Sequence, residues 1–143
     1  MRVQSDAALF DVLLKTQKVA VLGVSDKPQR PSHKVFSFWR ARGVDAIPVN
    51  PQLAGHTILD CRVIPNLAAL DEAVDMVDVF RASANLPAIV DEAAAIGAPV
   101  LWTQLGVTHA EAEEKALSMG MSLVVDRCPA IEIPRLEALG YKF

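Results

Sequence analysis

Five short clusters in this sequence carry side chains suited to holding a small, charged ligand. The first is Gly23-Val24-Ser25-Asp26-Lys27-Pro28-Gln29-Arg30-Pro31-Ser32, with Lys34 just beyond. A glycine after an apolar run lets backbone approach an anion, and a helix start offers free N–H groups to a phosphate. Arg30 and Lys34 flank that point with positive charge, and Lys27 stands in the same run. The run also reads as a tight turn with solvated charges. It is not the dinucleotide fingerprint G-x-G-x-x-G, because Ser25 and Pro28 occupy the second and third glycine positions. The second cluster, Val49-Asn50-Pro51, ends an apolar segment without the Asp or Glu that would take a ribose diol. Alone it reads as a turn. In the third, Phe80-Arg81, a guanidinium could pair with a phosphate through two bonds or with a neighbouring acid. The fourth holds Trp102 and Gln104 before Gly106, an aromatic and an amide that suit a flat polar ligand or, equally, a core tryptophan beside a loop. The fifth, Asp126-Arg127-Cys128-Pro129, sets a thiol in a loop before a helix. A buried, inert cysteine is its simpler reading, since no histidine is placed to activate it.

Nothing else rises to a catalytic or metal-binding arrangement. His33, His56 and His109 show no metal spacing, and His109 reads as a first-turn surface residue. Glu113-Glu114 reads as a solvated helix face.

The elements that must position these clusters are legible in the hydrophobic pattern. Residues 5–14 predict a helix capped by Ser5, with Asp6 at the positive end of its dipole. Val19-Ala20-Val21-Leu22-Gly23 is a continuous apolar run, the pattern of a strand buried on both faces. Val35, Phe38 and Trp39 predict a helix from Pro31 to Gly43 with Ser32 as its N-cap. Ala46–Val49 predicts a second strand, stopped by Asn50-Pro51. Between 52 and 73 the pattern is broken, and either Ile58-Leu59 or Val63-Ile64 could form a small strand. Further strands are expected at 77–80, 99–102 and 122–126. Helices are expected from Leu86 to Gly97, from a Thr108/Glu111 capping box to Gly120, and over 130–139. Strands alternating with helices predict an α/β fold: a Rossmann-like, doubly wound parallel sheet between two helical layers, α/β/α. Such a sheet binds its ligand at the carboxyl ends of the strands, where the strand order reverses.

Composition bounds the rest. The 143 residues fit one domain, expected over 1–143 with its core at about 15–130 after the helix of 5–14. Hydrophobic residues make up 52%, which excludes intrinsic disorder. The net charge of −3 gives no basic field for nucleic acid. No apolar run approaches a membrane span, and the charged first sixteen residues are not a signal peptide. Two cysteines, Cys61 and Cys128, are too few for a disulfide scaffold, so a cytoplasmic protein with reduced thiols is expected.

Taken in order, Ala20–Ser25, Lys27-Pro28, Arg30, Ser32, Val49–Pro51, Val79–Arg81, Trp102, Gln104, Gly106 and Asp126–Cys128 resemble the small coenzyme A-binding proteins. These are single-domain relatives of the CoA-binding domain of succinyl-CoA synthetase alpha subunits, and the resemblance covers about residues 15–130. It implies a Rossmann-like fold with CoA or an acyl-CoA at the strand ends. Phosphates would fall to Gly23, Val24, Ser25, Arg30 and Ser32, and the nucleotide side to Val49, Asn50 and Pro51. Phe80 and Arg81 would close the crevice, and Trp102 and Gln104 would lie toward the pantetheine arm. Lys27, Lys34 and Cys128 complete the candidate set. The synthetases' second domain, with its phosphorylated histidine, has no counterpart before Phe143, so binding without catalysis is expected. The competing expectations are chemistry on CoA thiols or thioesters through Cys128, an NAD(P)-binding domain, and a subunit that docks on a partner enzyme.

Overall fold

The computed structural model describes all 143 residues. The elements run α1 (Asp6–Lys15), β1 (Lys18–Leu22), α2 (Pro31–Ala41), β2 (Asp45–Val49), β3 (Thr57–Ile58), β4 (Cys61–Arg62), β5 (Met76–Val79), α3 (Leu86–Ala95), β6 (Val100–Thr103), α4 (Ala110–Ser118), β7 (Ser122–Val124) and α5 (Pro129–Ala138). Five strands form one parallel sheet in the order β2-β1-β5-β6-β7. The chain moves outward from β1 to β2, then crosses back to β5 on the other side of β1. The order therefore reverses between β1 and β5, and the crevice at their carboxyl ends is the place for a ligand.

Both faces of the sheet are covered, and the two-residue period of a strand decides which side chain serves which face. Val19 and Val21 of β1 join Leu9 and Leu13 of α1, Phe36 and Trp39 of α2 and Leu136 of α5 in one buried cluster. Ala20 and Leu22 point the other way, to Leu86, Ile89 and Val90 of α3 and Ala112 and Ala116 of α4. This is why the strands read as unbroken apolar runs.

One buried acid interrupts the first cluster. Asp78 of β5 is fully buried, and its Oδ2 accepts from Trp39 Nε1 at 3.1 Å. Its Oδ1 has no partner. Burial pushes the carboxyl up to about 7, against the smaller opposing effect of the Trp39 hydrogen bond.

Five local expectations are corrected or refined. Ser32 is not the N-cap of α2; Arg30 is, with Pro31 in the first turn. α4 starts one residue later than expected, with His109 as N-cap: its Nδ1 accepts from the Ala112 N–H, and Glu113 Oε2 accepts from the His109 N–H. Glu113 is therefore buried against this cap and Arg2 rather than solvated. The last strand stops at Val124, short of Asp126. The ambiguous segment forms a two-residue hairpin, β3 with β4, and only Ile64 reaches the main sheet, bridging Val49.

No helix is long and apolar enough to cross a membrane.

Candidate functional site

The first cluster is shaped by contacts among its own residues. Gly23 sits at φ +86°, and its N–H donates to Val49 O at 2.8 Å. A Cβ there would lie 2.3 Å from Phe80 O and 3.1 Å from Arg81 Cδ. Only glycine lets the β1 and β5 loops close together at this point. Beyond it, Ser32 Oγ accepts from the Ser25 N–H at 3.0 Å, and Ser25 Oγ accepts from the Lys27 N–H at 3.1 Å. Two hydroxyls thus fold the loop back over the start of α2. Asn50 ties in the neighbouring loop. Its Nδ2 donates to Val24 O at 3.0 Å, while its Oδ1 accepts from the Gln52 N–H at 2.9 Å.

The result is an open cavity of about 640 Å³ at the reversal of strand order. Gly23, Ser25, Lys27, Arg30 and Ser32 line one side, Asn50 a second, and Phe80, Arg81 and Gln104 a third. The N–H groups of Val24, Asp26, Ser32 and His33 donate to no protein acceptor. Those of Ser32 and His33 are the free donors of the first turn of α2, where the helix dipole favours an anion. The protein's ion pairs all lie elsewhere, so Lys27, Arg30 and Arg81 keep their charge unpaired around the cavity. Asp26 is the one carboxylate in the lining. Gln104 is 6% exposed, with Oε1 buried and unpartnered.

Six candidates stand outside this lining. The side chains of Val24 and Val49 are buried in the core. Trp102 is fully buried, and its indole N–H donates to Arg127 O at 2.7 Å, so it is the core tryptophan of the two readings. Lys34 is exposed one turn into α2. Pro51 borders a second, smaller cavity. Cys128 is 8% exposed within the core, at the N-cap of α5.

Asp26 and Pro31 of the first cluster also line the cavity, and sequence reasoning missed Gln52, Leu53, Leu105 and Val107. Gln52 and Leu53 fall where the hydrophobic pattern is broken. Leu105 carried a usable signal, an apolar side chain between Gln104 and Gly106 in a loop, and it is 57% exposed.

A doubly wound parallel sheet with unpaired cations and free amides at its switch point defines a Rossmann-like domain with an electropositive cavity at its strand ends. The family comparison narrows the class. The model of the CoA binding domain matches residues 17–134, and the chain belongs to that family. A Bacillus subtilis relative, the uncharacterized protein YneT, is 34% identical over 128 residues, covering 90% of this chain and 93% of that one. Among solved structures, cell-free ID.343 from Thermus thermophilus superposes with a TM-score of 0.89 at 34% identity, over 93% of this chain and 99% of its own. A hypothetical protein from Pyrococcus horikoshii gives 0.89 at 29%, over 94% and 93%.

Proposed function

We propose that this domain binds coenzyme A or an acyl-CoA across the carboxyl ends of β1, β5 and β6, as a binding module. The observation that carries the reading is the convergence of three unpaired cations and the free amides of the α2 start on one cavity. CoA brings a pyrophosphate and a ribose 3′-phosphate, and charge-assisted hydrogen bonds to such groups are the strong ones. Gly23, Ser25, Lys27, Arg30 and Ser32 would hold the pyrophosphate, and Arg81 would reach it from β5. Membership of the CoA binding domain family supports the same ligand.

Two details weigh against the alternatives. Both ends of the Asn50 side-chain amide are engaged by the protein, and no carboxylate at the end of β2 takes a ribose diol, which disfavours NAD. The lining offers no histidine and no cysteine, and Cys128 lies in the core, which disfavours thiol chemistry at this site.

The test is a thermal shift with CoA and, separately, with NAD. A ligand at a hundred times its Kd stabilises the folded state by about 2.7 kcal/mol. A clear rise in Tm with CoA and none with NAD is expected. No shift with CoA at a concentration saturating a micromolar site overturns the reading.

A further inference from the structure

The loop after β6 holds an exposed leucine on a rigid mount. Gln104 to Val107 form a tight turn, closed by the Val107 N–H donating to Gln104 O at 3.0 Å, with Gly106 at φ +80° as its third residue. Three side chains outside the turn pin it. Asp126 Oδ1 accepts from the Gly106 N–H at 2.7 Å. Ser83 Oγ donates to Gly106 O at 3.2 Å and accepts from the Thr108 N–H at 3.0 Å. Thr103 Oγ1 donates to Val107 O at 2.7 Å. Asp126 does this from φ +59°, a left-handed conformation that is costly for a residue other than glycine. The second residue of the turn is Leu105, which belongs to neither core cluster and lines the cavity.

The cavity is polarised. Lys27 and Arg30 come from the loop after β1, and Arg81 follows β5. The strand order puts β6 on the far side of β5 from β1, and its loop supplies Gln104, Leu105 and Val107 but no charge. The opposite end, beyond β2, sets Leu53 beside the amides of Asn50 and Gln52. Phosphates are drawn to the cations, so the uncharged terminus of the ligand falls to the β6 end. Gln104 fits that terminus. Its Oε1 is buried without a protein partner, and an unmade bond at a buried acceptor is costly. CoA carries an amide N–H two carbons from its sulfur. Accepted by Gln104, that N–H sets the sulfur, and whatever the sulfur carries, beside Leu105 and Val107. Resting on the CoA reading, we infer that the ligand is an acyl-CoA of short apolar chain, and that Leu105 sets the preference for the acylated over the free form. A bare thiol gains little from a leucine, whereas an acyl chain gains by leaving water against it.

Calorimetry compares CoA, acetyl-CoA and butyryl-CoA on wild type and on Leu105→Ser. In wild type, affinity is expected to rise from CoA to butyryl-CoA by about tenfold, less than the roughly fourfold for each fully buried methylene because the cavity is open. In the variant, CoA is expected to bind within about twofold of wild type and the rise to shrink to about threefold or less. Equal wild-type affinity for all three overturns the assignment, and so does a rise that survives undiminished in the variant. A variant that loses CoA as much as butyryl-CoA shows Leu105 holding the arm instead, and overturns it too. If wild type binds none of the three, the CoA reading itself falls and takes the assignment with it. Circular dichroism checks the fold, and Leu105→Gln carries the same comparison if the serine variant does not fold.

Discussion

Arg30 shows what a single side chain contributes here. It is the N-cap of α2, yet its side chain makes no capping hydrogen bond and no ion pair, so nothing in the protein uses its charge. Arg30→Ala is therefore expected to leave the Tm of the free protein unchanged. A charged hydrogen bond is worth roughly 1.5–3 kcal/mol, discounted here because the residue is exposed, so CoA affinity should fall by about tenfold. Calorimetry on the variant checks both halves, and unchanged affinity removes Arg30 from the site. Contrast this with Trp102, whose type alone suggested a ligand contact. The indole N–H already has Arg127 O as its acceptor, and the ring fills the core. A residue's chemistry is available to a ligand only when the fold leaves it unspent.

At the scale of elements, the site depends on how closely the loops after β1 and β5 approach. Gly23 is the point of contact, and two costs fall on any replacement. A non-glycine residue at φ +86° is strained by about 1–3 kcal/mol, and its Cβ would press on Phe80 O. Gly23→Ala is expected to destabilise the protein by more than about 2 kcal/mol in urea unfolding and to weaken CoA by displacing Arg81. Stability within about 0.5 kcal/mol of wild type would show that the loops yield without cost. Elements were also where the sequence was most and least informative. The long apolar runs and amphipathic helices were legible because each satisfies one period over several residues. The segment 52–73 was not, because its hairpin rests on a two-residue turn at Leu59-Asp60, both at positive φ and neither a glycine or asparagine. The α4 cap was misplaced by one residue because histidine, rather than threonine, accepts the first-turn N–H.

For the molecule as a whole, the buried Asp78 makes folding depend on pH. Its carboxyl is pushed up to about 7 in the folded state, against 3.8 as its ordinary value. Between those values the folded protein holds a proton that the unfolded chain has released. Its contribution is thus fully present at pH below about 4, declines as pH rises, and is lost above about 7, with a slope of at most roughly 1.4 kcal/mol per pH unit. Asp78→Asn keeps an acceptor for Trp39 Nε1 and carries no proton to lose. The variant is expected to be more stable than wild type at pH 8, by a few kcal/mol at most, and the gap should close toward pH 4. Urea unfolding across that range measures it, and a gap constant with pH would refute the assignment. The same hydrogen bond holds α2, whose first turn forms the anion cradle, to the central strand of the sheet.

Local patterning was enough for the architecture, because alternating strand and helix periods with short connections leave few ways to bury both faces of a sheet. It also picked out the turn after β1, since glycine, hydroxyls and cations in that order are a local signal. Which clusters share one cavity follows from long-range packing. Gln52, Leu53 and Leu105 join it, while Trp102 and Cys128 withdraw into the core. The reason is geometric: a strand end fixes where its loop starts, but the packing of neighbouring loops fixes which side chains stay free. That information sits in contacts between residues far apart in the chain, Gly23 with Phe80 and Asn50 with Val24, and no local pattern carries it.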